Sequence, residues 1–231
     1  MSELAALLQL ADAAFPAGGF GHSFGLETAI VDTRVRDAAT LRAWIESYLL
    51  ETCATLDGAA LALLLRGEAP LERLDERVSA AQPNAEIRRA NAHLARATLD
   101  TYLAMGIADD AGIADDAGIT SYRGAIAAGR CAGIHALAAA LGYRAISAPP
   151  PIALEAHATT IVTACASVAA RAVPLGQRDV ARIRWTLREA IGTFVQRALD
   201  AHGLDDLRSS AVACEIDGLQ HRRLPARLFA S

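Results

Sequence analysis

Apolar residues recur at three- and four-residue spacing along almost the whole chain, and no stretch alternates apolar with polar strongly enough to build a sheet. That pattern restricts the fold to packed helices. Leu4, Leu7, Leu8 and Ala11 share one helical face behind Ser2 as N-cap. Pro16 must end that helix, since proline disfavours helix in the residue before it, and Gly18-Gly19 permit a sharp turn. A short second helix is expected from an N-cap at Ser23, carrying Leu26, Ala29 and Ile30 inward. Thr40 then caps an amphipathic stretch with Leu41, Trp44, Ile45, Tyr48 and Leu49 on one face.

The run 59–65 is apolar all round, which predicts a buried central helix ended by Gly67 and Pro70. Helices are expected over 71–81, 84–105, 123–141 and 152–172, with Pro149-Pro150-Pro151 as a stiff stop between the last two. Val180, Ile183, Leu187, Ile191, Phe194, Val195 and Leu199 mark a final long helix closed by Gly203. The expected fold is all-α: one helical domain over 1–203, with an Asp/Gly-rich inserted loop at 106–120, then a flexible C-terminal tail over 204–231.

Composition enters through what it excludes. The chain has no lysine, so all 22 of its basic residues are arginine, and neither a P-loop lysine nor a Schiff-base amine is available. A formal charge of −4 gives no basic footprint for nucleic acid. Cys53, Cys131, Cys165 and Cys214 are far apart in sequence, without Cys-x-x-Cys spacing, and are expected as buried, reduced thiols. The start, Met1-Ser2-Glu3, is acidic where a signal peptide would be basic. The most apolar stretch, 156–170, falls short of the ~20 residues a membrane span needs. A cytoplasmic protein that binds neither membrane nor nucleic acid is the expectation.

No catalytic set stands out. The segment 106–118 reads Gly-Ile-Ala-Asp-Asp-Ala twice in tandem, and Asp109, Asp110 and Asp115 resemble the first aspartate-rich motif of all-α isoprenyl diphosphate synthases, where carboxylates hold Mg²⁺. Those enzymes place the motif on a helix, which Gly106, Gly112 and Gly118 weaken, and the second cluster they need is not completed at Asp205-Asp206. A solvated loop is favoured. Among His22, His93, His135, His157, His202 and His221 no two stand at i, i+4, so no helical metal pair is expected; His22 alone, inside the best motif, is a weak metal candidate. Gly21-His22-Ser23-Phe24-Gly25 approaches a nucleophile elbow but follows a helix instead of a strand.

The segment 7–27 carries a family resemblance. Leu7-Leu8-Gln9-Leu10, a small-residue run, Pro16-Ala17-Gly18-Gly19-Phe20, His22-Ser23 and Gly25-Leu26-Glu27 are similar to the opening of UreF proteins, the urease accessory family. Val173-Pro174-Leu175-Gly176-Gln177 resembles that family's Pro-Leu-Gly-Gln turn, and His221 with Arg227-Leu228-Phe229-Ala230-Ser231 resembles its tail.

The resemblance implies an all-α adaptor or chaperone, not an enzyme, that tends to dimerise. It implies as partners UreD (also called UreH), the GTPase UreG and apo-urease, with nickel inserted by the assembled complex and no cofactor of the chain's own. Partner contacts are implied at His221, Arg227, Leu228, Phe229 and Ser231, and at Gln177 and Arg182 near the second turn. Pro16, Gly18, Gly19, Phe20, Ser23, Gly25 and Glu27 are the structural motif. On the residues alone, Leu228 and Phe229 flanked by arginines suit a segment that orders on a partner. A Mg²⁺-dependent isoprenyl-type enzyme and an unrelated helical interaction protein are the alternatives.

Overall fold

The computed structural model describes residues 3–12, 14–107 and 118–230, with the backbone alone of Phe20. Asp109, Asp110 and Asp115 of the tandem repeat, the Ser2 cap and Ser231 therefore lie outside the described residues. Within them every regular element is helical, as expected.

The chain opens with α1 (Glu3–Leu10), a three-residue 3₁₀ turn (Gly19–Gly21) and α2 (Leu26–Val31). The face of α1 differs from expectation. Ala6 and Leu10 are buried, whereas Leu4 and Leu8 are 63% and 62% exposed. A helix of this length rests on its neighbours through one narrow edge, which here runs through Ala6 and Leu10 with Leu7 partly buried beside it. The N-cap of α2 is Gly25, with no side-chain cap, so Ser23 does not cap it. Ser23 is instead buried, its carbonyl accepting from the Leu26 N–H at 3.0 Å.

The centre is one continuous helix over Ala38–Arg66. It begins as α3 (Ala38–Tyr48), passes through ten π-helical residues (Leu49–Gly58) and ends as α4 (Ala59–Arg66). Its cap is Asp37, with Thr40 three residues into the helix completing a reciprocal box: Asp37 Oδ1 accepts from the Thr40 N–H at 2.9 Å and Thr40 Oγ1 from the Asp37 N–H at 3.1 Å. As its uniform apolarity predicted, α4 buries every residue from Ala59 to Leu64. Gly58 lets α11 (Arg188–Leu199) approach. A Cβ there would lie 2.6 Å from Cζ of Phe194, a fully buried ring whose burial is worth about 2–3 kcal/mol.

Around this axis pack α5 (Leu71–Ala81), α6 (Ala85–Ala104), α7 (Ile119–Ala127), α8 (His135–Ala145), α9 (Pro150–Ala172) and α10 (Gln177–Thr186). Three expectations are corrected. The stretch 123–141 is two helices, α7 and α8. Buried Asp75 of α5 accepts from the Ala132 and Gly133 N–H groups at 2.6 and 2.9 Å and from the Tyr122 hydroxyl at 2.6 Å, which fixes the intervening turn. The triple proline starts α9 instead of stopping the chain, because Pro150 and Pro151 occupy the first turn, where a missing N–H costs nothing. The last long helix is broken at Leu187 into α10 and α11, with Ile183, Leu187, Ile191, Phe194 and Val195 all facing inward.

Two helices have the length and apolarity of a membrane span, Ala38–Arg66 and the 23-residue α9, although the sequence offered only a shorter run; half or more of each is buried inside the protein. The four cysteines are free, buried thiols. The stretch expected as a separate, flexible tail is folded. After a 3₁₀ turn (Leu204–Asp206) it forms α12 (Val212–His221), which packs on α2 and α3. It looked too polar to fold alone because its buried polar groups find their partners on distant helices.

Candidate functional site

The turn after α1 is shaped by backbone. Gly18 adopts φ +80°, then Phe24 and Gly25 follow each other at φ +52° and +95°. Phe24 is the unusual one, since a left-handed conformation costs a residue with a Cβ about 1 kcal/mol or more. Gly25 has a steric requirement as well: a Cβ there would sit 2.7 Å from the Gly218 nitrogen and 3.0 Å from the Cys214 carbonyl oxygen. The missing side chain at Gly25 is what allows α12 to lie against α2.

With the helices that close, Glu27 meets the other end of the chain. Its side chain is almost fully buried, and Oε2 lies 2.7 Å from Nε2 of His221, itself fully buried. The Leu228 N–H donates to Glu27 Oε1 at 2.6 Å and the Phe229 N–H to Oε2 at 3.3 Å. His221 Nδ1 lies 3.1 Å from Glu86 Oε2, while Arg227 donates to Glu86 Oε1 at 3.1 Å. Carboxylates only accept, so an imidazolium satisfies both neighbours whereas a neutral ring satisfies one. Finally the Ala230 N–H donates to the Gly21 carbonyl at 2.7 Å, and the Arg171 guanidinium lies over the Phe229 ring, 4.5 Å from its centroid.

A second tie holds α12 from the side. Buried Asp217 accepts from Trp44 Nε1 and Arg34 Nη1, each at 3.1 Å, and its other oxygen pairs with Arg34 Nη2. The Asp217 bond keeps the Arg34 guanidinium above its ordinary pKa. The N-terminal turn and the C-terminal segment are thus one buried polar latch whose outer surface is apolar. Leu228 is 73% exposed, and Val212, Ile216 and Leu219 form an exposed stripe along α12.

Of the residues singled out in the sequence, Gly25, Glu27, His221, Arg227, Leu228 and Phe229 converge here. Pro16, Gly18 and Gly19 form the adjoining turn, and Ser23 is buried between it and α2. Gln177 and Arg182 stand apart on α10, which packs on α9, α3 and α11; both face solvent, and Arg182 sits 3.7 Å from Asp179. Trp185 of the same helix is 69% exposed under the Arg188 guanidinium. Sequence reasoning missed Glu86, Arg34, Asp217 and Arg171. Glu86 reads as an ordinary first-turn acid of α6. The others are isolated charges with no local signal.

His22 lies beside His93, ring centroids 6.4 Å apart, and burial, then His93, lower its pKa. Among the described residues no three His, Cys, Asp or Glu side chains are grouped to hold a metal ion. Asp206, the nearest approach to a second aspartate cluster, caps a turn by accepting from the His202 N–H at 2.8 Å.

The chain matches the UreF family model over residues 35–188, about two thirds of its length, a span that contains neither the turn nor the latch-forming C-terminal segment. Pairwise likeness extends through both. The urease accessory protein UreF of Corynebacterium glutamicum (strain R) is 32% identical over 97% of this chain and 96% of its own length. The protein of the same name from Actinobacillus pleuropneumoniae serotype 5b (strain L20) is 28% identical over all of both chains, and that of Rhodopseudomonas palustris (strain BisA53) 32% identical over 94% of this one.

Proposed function

The chain belongs to the UreF family of urease accessory proteins, and from that premise we propose that it is a non-catalytic adaptor whose latched C-terminal segment is the docking surface for UreD (UreH). The observation that carries this reading is the burial of Glu27 against His221, Leu228 and Phe229. The latch holds the segment's backbone in one shape while leaving Leu228, part of Arg227 and the α12 stripe facing out. A preorganised apolar surface with an arginine at its rim loses little entropy on association. Ser231 continues this segment.

In this reading the UreD-bound adaptor recruits the GTPase UreG and docks on apo-urease, and nickel passes as cargo to the enzyme's active site. Gln177 and Arg182, on the solvent face of α10, are the contacts assigned to UreG, and a homodimer is the assigned free state. The chain holds no cofactor of its own and works in the cytoplasm.

Co-expression with the cognate UreD, UreG and urease tests the assignment. The intact chain should co-purify with UreD, and Leu228→Asp should lose UreD while keeping a helical spectrum and an unchanged melting point. Retention of UreD by Leu228→Asp, or absence of any complex with the intact chain, would overturn it.

A further inference from the structure

A second feature lies inward of the latch, where the π-helical segment, α6, α8, α9 and α12 enclose a cavity of about 130 Å³. A smaller hollow of about 60 Å³, lined partly by the same residues, adjoins it. The walls are mostly apolar, with Leu94 and Ala164 lining both spaces. One polar group stands out. Asp57 lines the cavity, yet its Oδ1 is sealed from solvent and accepts no hydrogen bond among the described residues. Burial pushes its carboxyl up to about 7.

A sealed carboxylate oxygen without a partner costs about 1–3 kcal/mol, and an apolar residue of similar size would remove that cost. Among the described residues no positive charge answers it. None of the 22 arginines borders the cavity. Burial lowers the two bordering histidines, His135 to about 4 and His157 to about 3, so both are neutral at pH 7. The thiols of Cys53 and Cys165 are raised by burial and carry no charge either. Glu215 adds a second carboxyl group to the otherwise neutral and mostly apolar lining. The rings of Phe24 and Tyr48, stacked with centroids 6.4 Å apart, form part of the wall, and Phe24 is the residue held at positive φ. Asp57 itself belongs to the π-helical stretch, a winding concentrated at functional sites.

We propose that this cavity binds a small organic ammonium ion, its N–H groups donating to Asp57, its hydrocarbon body filling the apolar space beside Phe24 and Tyr48. The volume suits roughly half a dozen heavy atoms, since a 150 Å³ apolar cavity holds benzene. An anion is unfavourable beside two carboxylates. A metal ion would want at least three converging ligands, and the described residues assemble no such group. An ammonium ion needs one carboxylate and aromatic faces, and both are here.

Calorimetric titration of the full-length chain tests this with n-butylammonium chloride, its neutral counterpart n-butanol, and nickel chloride. The ammonium ion should bind at least about tenfold more tightly than the alcohol. Asp57→Asn, which keeps the shape and removes the charge, should abolish that preference in a protein that still folds. Ala164→Leu, which fills the cavity, should abolish binding of both organic probes. Equal affinity for amine and alcohol, an undiminished preference in Asp57→Asn, or displacement of n-butylammonium by equimolar nickel would overturn the proposal. None of these outcomes bears on UreD docking, which Leu228→Asp reads separately.

Discussion

Glu27 and Gly25 carry most of the latch between them, one by charge and the other by having no side chain. In Glu27→Gln the amide nitrogen must face at least one of three groups that now point at a carboxylate oxygen. The expected loss is about 1–3 kcal/mol of unfolding free energy, with faster hydrogen exchange at Leu228 and Phe229 than in the wild type. Unchanged exchange at these two amides would mean that the carboxylate does not hold the segment. Gly25→Ala combines a positive φ with a 2.7 Å approach to the Gly218 nitrogen, so it should cost more than the ~1 kcal/mol of backbone strain alone, and α12 should become protease-sensitive. Both residues were visible in the sequence as motif positions. Nothing there linked Glu27 to His221, 194 residues away, because a charge pair between distant helices leaves no periodic or spacing signal.

Among the elements, the π-helical segment is where pH should act. The Asp57 carboxyl is raised from 3.8 to about 7, so between those values the folded chain holds a proton that the unfolded chain has released. Stability from this group is present below about 4 and lost as the pH rises to about 7. His135 and His157 act in the opposite sense. They are lowered from 6.5 to about 4 and about 3, the unfolded chain binds the extra protons, and stability falls as the pH drops below 6.5. Asp57→Asn should therefore raise the melting temperature more at pH 8 than at pH 5. It should also steepen the rise in stability with pH between 4.5 and 6.5, as followed by urea unfolding. A variant profile parallel to the wild type would contradict the burial of Asp57. The sequence marked 59–65 as a buried helix because its apolarity is continuous, but it carried no sign that Leu49–Gly58 would wind as π. Gly129 and Gly133, both at positive φ in the turn, are a local signal of the break between α7 and α8, whereas the break at Leu187 has none. Asp75 stabilises the first from another helix, and no proline or glycine marks the second.

At the scale of the molecule the two ends of the chain close on each other. Truncation after His221 removes the buried Phe229 ring, worth about 2 kcal/mol, and the bond from Ala230 to the Gly21 carbonyl. The truncated chain should melt lower, and amides of the N-terminal turn should exchange faster although no residue there has changed. Equal exchange in the turn would show that the ends are independent. Apolar periodicity by itself determined that the chain is all-α and placed most of the helices, because burial of a helical face is written locally at three- and four-residue spacing. The motif residues likewise determined the family. Only the tertiary structure decided that the C-terminal segment packs instead of hanging free. It decided too that Glu27, Glu86 and His221 share one buried network, and that Asp57 lines a cavity with its Oδ1 unpartnered among the described residues. Those features depend on which distant side chain meets which, and the energy of such a meeting belongs to neither residue's local sequence.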